Sequence, residues 1–167
     1  MTTTLRNEGL EFLEHAPNRW AFEEPVAASQ HAVFAAISAD PSTWSWYPGI
    51  TSGRYHGDPP HGVGSKREVL MAGTAYRETM LAWDAPVRWA YRVDSTTVPL
   101  ANALVEDWEI FDRGDHSVVR WTFAIDPRPL FKMSLRVAPT VMGKLFARAM
   151  RNLSAHLNDP APTPDGG

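Results

Sequence analysis

The chain contains no cysteine, which excludes disulfides, thiolate metal sites and a cysteine nucleophile. It has no apolar run near the roughly 20 residues that a membrane-spanning helix needs. Its opening residues, MTTTLRNEGLEFLEHAP, lack the basic stretch followed by an apolar one that marks a signal peptide. The cytoplasm is therefore the expected location, with at most a peripheral contact to membrane. Excess positive charge is also missing. The formal net charge is -3, and phosphate binding needs a concentrated basic surface, so nucleic acid is not an expected partner. Lysine is scarce, 3 against 13 arginines, a bias we ascribe to genome composition. There is no GxSxG, P-loop, HExxH or dinucleotide fingerprint, and nothing calls for a cofactor. The pairs Glu23-Glu24 and Glu106-Asp107 are strand neighbours pointing to opposite faces, so neither forms an acid/base dyad by itself.

What is present is a set of alternating strands followed by one amphipathic helix. In VRWAYRV (87–93), Trp89, Tyr91 and Val93 share a parity opposite to Arg88 and Arg92. In VEDWEIF (105–111), Trp108 and Ile110 oppose Asp107 and Glu109. In VVRWTFAI (118–125), Val119, Trp121, Phe123 and Ile125 oppose Arg120. This period of two predicts half-buried antiparallel strands, apolar inside and solvated outside. Further strands are expected at 19–28, 51–57, 65–73 and 74–83, with Pro25 placing the first at an edge or a bulge. Ser29 is a good N-cap for a short helix, QHAVFAAISAD, and Pro41 opens a second helical turn, PSTWSWYPGI. Residues 127–139 hold three prolines and read as an irregular crossover. From Thr140 to Leu157, Met142, Leu145, Phe146, Ala149, Met150, Leu153 and Leu157 form one stripe at 3.6-residue spacing.

One domain is expected, at residues 19–157, after an N-terminal extension (1–18) and before a tail (158–167) disordered by composition. In the extension, Leu10, Phe12 and Leu13 suit either a short helix or an added strand. The fold class is α+β: a curved antiparallel β-sheet wrapped around a long C-terminal α-helix, with two short helices after the first strand.

The candidate binding wall is aromatic: Trp20, Trp83, Trp89, Tyr91, Trp108, Trp121 and Phe123, faced by Met142, Phe146 and Met150 of the last helix. Such a wall either lines a ligand cavity or packs as a filled core, and the residues alone leave both open. Trp46 and Tyr47, just before Pro48-Gly49, suit a lid over a pocket mouth, or a short helix anchored by Trp46. Strand 74–83 has two faces. If Leu81 and Trp83 point inward, so does Arg77, which then needs an anionic partner such as Glu106 or a ligand. The commoner arrangement has Arg77 outward, with Glu78 paired across strands or a bulge between them. His56, Asp58 and His61 could ligate a metal, but their spacing matches no metal signature and turn chemistry explains the loop. No metal is expected. The basic side of the last helix (Lys144, Arg148, Arg151) could touch anionic lipid, but reads first as a solvated face.

This order of elements resembles the helix-grip fold of the START/Bet v 1-like superfamily, in its bacterial polyketide cyclase/dehydrase and lipid-transport branch. The resemblance spans residues 19–157. It rests on VAASQHAVFAAISAD, on DPSTWSWYPGI, on YRETMLAWDAPVRWAYRV, and on the proline-bearing crossover into LFARAMRNLSAHL. It implies an apolar cavity between sheet and helix. It also implies a small hydrophobic ligand, lipid-, polyketide- or quinone-like, held against the aromatic wall. One alternative is a cyclase/aromatase or dehydratase-type enzyme using the same cavity, with Arg77, Tyr91, His56 and Glu106 as candidates to move protons. Another is a protein-interaction module with a filled core.

Overall fold

A computed structural model describes residues 2–159, so the expected tail lies, from residue 160 on, outside the described residues. The chain forms β1 (Thr3–Thr4), α1 (Phe12–His15), β2 (Asn18–Val26), α2 (Gln30–Ser38), β3 (Ile50–His56), β4 (Lys66–Met71), β5 (Thr74–Asp84), β6 (Arg88–Thr96), β7 (Ala101–Asp112), β8 (Ser117–Pro127) and α3 (Ala138–Asn158). The second helical turn is a 3-10 turn, Pro41–Thr43, and the crossover holds two more, Pro129–Phe131 and Ser134–Arg136. The sheet is antiparallel throughout, in the order β2-β8-β7-β6-β5-β4-β3. This is the helix-grip α+β fold.

Local chemistry sets the boundaries. Ser29 caps α2, its side chain accepting from the Ala32 N–H at 3.3 Å. Helix α3 begins two residues before the expected Thr140, with Pro139 in its first turn, where a missing N–H leaves no helix bond unmade. Pro25 sits on β2, an edge strand. The β4–β5 hairpin turns on Ala72 and Gly73, both at positive φ (48° and 79°), the geometry of a tight primed turn.

Two bulges decide which side chains of β5 face inward. Pairing with β6 shifts once between Arg77 and Glu78, where Asp94 is the extra residue, and again between Met80 and Ala82, where Leu81 is. The second shift changes parity within β5. Tyr76, Glu78 and Met80 face the interior before Leu81, and Trp83 faces it after. Arg77 is therefore outward, although Trp83 is inward.

Helix α3 lies against β2 and reaches α2. Phe146, Ala149, Met150 and Leu153 are buried, while Met142 and Leu145 are half-buried. Gly143 allows the approach: a Cβ there would meet the Phe22 ring at 3.2 Å. A second close contact fixes the 3-10 turn to β3, since a Cβ on Gly53 would lie 2.5 Å from Pro41 Cβ.

The outer face is less polar than the alternation predicts. Ala103, Val105 and Ala124 point outward as an apolar patch, and α1 covers it with Phe12 and Leu13. The N-terminal segment also forms β1, which pairs with Ser95 and Thr96 of β6 just where β6 leaves β7. Of the two options for Leu10, Phe12 and Leu13, the short helix occurs at Phe12–His15, and the strand at Thr3–Thr4 lies outside those residues. Phe12 is fully buried, so Phe12→Ala should lower unfolding free energy by about 3–5 kcal/mol. Urea denaturation measures this, and a loss below about 1 kcal/mol would mean that α1 is not part of the cooperative unit.

Candidate functional site

The inward residues enclose a cavity of ≈ 250 Å³ between the sheet, the 3-10 turn, the crossover and the first half of α3. Most of its wall is apolar: Trp20, Trp108, Trp121, Phe123, Leu104 and Met142 are representative. Trp44, Tyr47 and Ile50 close one side, and Phe131, Ser134 and Ala138 of the crossover and early α3 another.

The expected wall divides into two groups. Tyr47, Tyr91, Trp108, Trp121, Phe123 and Met142 line the cavity, as does Trp20. Trp46, Trp83, Trp89, Phe146 and Met150 do not; they fill the rest of the interior. Trp83 packs edge-on against Phe34 and Tyr55, at 6.2 and 6.0 Å between ring centroids. Trp89 is enclosed by Trp44, Tyr91 and Trp108. Phe146 packs beneath Trp108 and Trp121. Trp46 is buried too, and its carbonyl accepts from Asn152 of α3 at 3.0 Å. The 44–47 segment is therefore a buried plug tied to α3, and only Trp44 and Tyr47 of it reach the cavity.

Arg77 is a correction. Its side chain is exposed on the outer face and pairs with Glu68 at 3.0 Å, because the parity change at Leu81 frees it from following Trp83. His56 is exposed at the end of β3, away from the cavity, and His61 stacks on Tyr55 at 4.4 Å. Among the described residues no cluster of three His, Cys, Asp or Glu could hold a metal ion.

The buried arginine of the site is Arg67, at 2% exposure. It shares parity with Val69 and Met71, which the sequence marks as one face of its strand, so the signal was present in that alternation. Arg67 is ion-paired with Glu78. Its guanidinium carbon lies over the rings of Trp89, Tyr91 and Trp44 at 4.5, 4.7 and 5.0 Å, a cation–π cage. Burial alone would push the guanidinium toward neutrality, but Glu78 outweighs that and keeps it charged.

The second polar element is Glu106. Its Oε2 accepts from the Tyr91 hydroxyl at 2.6 Å and from the Trp121 indole N–H at 2.8 Å. Its Oε1 takes no hydrogen bond from the described residues, and the carboxyl lines the cavity. Burial pushes Glu106 up to about 7, against the pull of the Tyr91 hydrogen bond. Burial also drives the Tyr91 hydroxyl well above its ordinary value, with Glu106 adding to the rise. The arrangement is an apolar chamber whose wall carries three buried charged groups, the Arg67–Glu78 pair and Glu106, with Arg67 Nη1 lacking a hydrogen-bond partner among the described residues.

A family model described as "Polyketide cyclase / dehydrase and lipid transport" matches residues 19–158. The chain belongs to this family. Solved structures with the same fold include a solution NMR structure of a protein from Thermobifida fusca, at 25% identity and TM-score 0.65, covering 83% of this chain and 92% of that one. A START superfamily protein from Mycobacterium smegmatis is similar at 12% identity and TM-score 0.68, with 83% and 96% covered. Ginseng major latex-like protein 151 from Panax ginseng is similar at 14% identity and TM-score 0.69, with 83% and 96% covered. No curated protein matches the chain. The family match and the shared fold agree with the resemblance read from the order of elements in the sequence.

Two predictions follow from the buried charges. Arg67→Met leaves Glu78 alone in an apolar wall and should cost about 3–5 kcal/mol. The double variant Arg67→Met/Glu78→Leu should recover most of that loss in urea denaturation; equal losses in single and double variants would show that the pair is not coupled. Glu106 holds its proton more tightly folded than unfolded. Stability should therefore fall as pH rises from about 4.5 to about 7, by on the order of 3 kcal/mol. Glu106→Gln keeps an acceptor for Tyr91 and Trp121 but cannot ionise. Its stability should fall less than that of the parent over that window and exceed that of the parent at pH 8, and a profile parallel to the parent's would refute the assignment.

Proposed function

We propose that this protein binds and carries a small, mostly apolar molecule bearing one polar group, with that group against Glu106. The observation that carries the reading is the cavity itself, with mostly apolar walls into which Glu106 and the Arg67–Glu78 pair are set. At ≈ 250 Å³ it lies just under the usual span of small-molecule sites, about 300–1,000 Å³. That favours a compact guest, such as a ring-bearing polyketide- or quinone-like molecule or a short acyl chain. A cavity of about 150 Å³ already admits benzene. A ligand hydroxyl would donate to ionised Glu106, and a ligand carbonyl would accept from its protonated form. Near neutral pH both forms are available.

Carriage is preferred to turnover because the neighbouring acid/base groups are weak. The Tyr91 hydroxyl is held neutral and Arg67 is committed to Glu78, so Glu106 alone remains to move a proton. A cyclase or dehydratase-type reaction would have to run on that one carboxyl.

Native mass spectrometry of the purified protein should find a co-purifying apolar compound. An anilinonaphthalene sulfonate or fluorescent fatty-acid probe should bind and be displaced by it. Leu145, half-buried on α3, faces the cavity, and Leu145→Trp should fill that space and weaken the probe at least about tenfold while the protein stays folded. Undiminished probe affinity in this variant, or a parent protein that takes up neither ligand nor probe, would overturn the reading. Turnover abolished in Glu106→Gln with probe binding retained would move the assignment to the enzymatic alternative.

A further inference from the structure

Charge is distributed very unevenly along the chain. Residues 127–158 contain six Lys/Arg and no Asp or Glu, whereas the other ten cations and all 19 acids lie elsewhere. A protein with net charge -3 therefore carries one strongly cationic segment, comprising the crossover and α3.

The same segment carries four of the six exposed large apolar side chains among the described residues, the other two being Val63 and Val87. Leu130 is 84% exposed, Met133 78%, Val137 62% and Val141 61%. They are not part of the cavity wall. Pro127, Phe131, Ser134, Ala138, Met142 and Leu145 are the residues of this segment that border the cavity, and the exposed four are not among them. Val137, Val141 and Lys144 follow one another at i, i+4 and i+7, so they share a stripe of α3 beside the one that faces the cavity. Lys132, Arg136 and Lys144 are exposed among them, and among the described residues none of the three is in an ion pair.

Water is a poor environment for Leu130 and Met133, and none of the described residues covers them. No helix of the described residues is long and apolar enough to cross a membrane. Apolar side chains interleaved with cations are the composition that settles at an interface: the apolar groups enter the acyl boundary while Lys and Arg meet anionic headgroups. We propose that the segment from Leu130 to Lys144 docks on the surface of an anionic phospholipid bilayer, with Leu130, Met133, Val137 and Val141 inserted and Lys132, Arg136 and Lys144 on the headgroups. In that pose the crossover side of the cavity faces the bilayer. A guest could then pass between membrane and cavity past Phe131 and Ser134 with little exposure to water. Cavity occupancy is not needed for docking, so the two readings fail separately.

The test is flotation of the full chain with vesicles of phosphatidylcholine alone and of phosphatidylcholine mixed with phosphatidylglycerol. Binding should require the anionic lipid and weaken with salt. Lys132→Glu/Arg136→Glu should reduce it roughly 30-fold or more, at about fivefold per cation removed. Leu130→Ser/Met133→Ser should weaken it at low salt and at high salt alike. Neither pair lines the cavity, so both variants should keep probe binding in vesicle-free solution, which also reports that they are folded. Three results would each overturn the proposal: no binding to anionic vesicles, equal binding to both vesicle types, or binding unchanged in both variants. So would light scattering showing that the parent self-associates and Leu130→Ser/Met133→Ser does not, without effect on vesicles, since a second copy would then cover the patch.

Discussion

An eight-strand curved sheet presents more inner surface than one helix can cover. Strands lie about 4.8 Å apart and a helix with its side chains is about 10–12 Å across. Helix α3 therefore shields two or three strands, and it packs over β2 at one edge. The inner faces of β4 to β7 must be covered by something else. Large aromatics do most of this, with Trp44, Trp46, Trp83, Trp89 and Trp108 bridging from the strands to the few helical side chains that reach them, such as Phe34 and Phe146. What they do not fill is the cavity.

That constraint also accounts for the buried charge. Arg67 projects from β4 into a space that α3 does not occupy, and an unpaired guanidinium there would be prohibitive. Glu78, across the β4–β5 ladder, supplies the counter-charge, and three aromatic faces supply the rest of its surroundings. The ion pair is thus an internal affair of the wall. Glu106 differs: its hydrogen bonds occupy one oxygen, and its burial is compensated by no cation of its own. A protein built only to be stable would place an apolar residue there.

The crossover links interior and exterior. Three prolines keep 127–139 from forming one regular helix, and the resulting 3-10 turns send alternate side chains to the cavity and to solvent. Phe131 and Met133, two residues apart, face different media. The same irregular backbone builds part of the cavity wall and the apolar, cationic outer surface beside it.

Periodicity alone determined the helix-grip architecture, because strand alternation and the 3.6-residue stripe of α3 are local properties that survive without knowledge of neighbours. The same alternation placed Tyr91, Glu106, Trp108, Trp121 and Phe123 on inward faces, and all five line the cavity. Alternation failed on β5. A bulge inserts one residue and inverts parity, and the bulge at Leu81 exists only through pairing with β6, so Arg77 and Glu78 exchanged the roles that Trp83 implied. Nor could it divide the tryptophans. Trp89 and Trp108 have the same chemistry and the same parity on paired strands, yet one is enclosed by Trp44 and Tyr91 and the other borders open space. That difference depends on where α3 and the 3-10 plug come to rest, and only the assembled tertiary structure decides it.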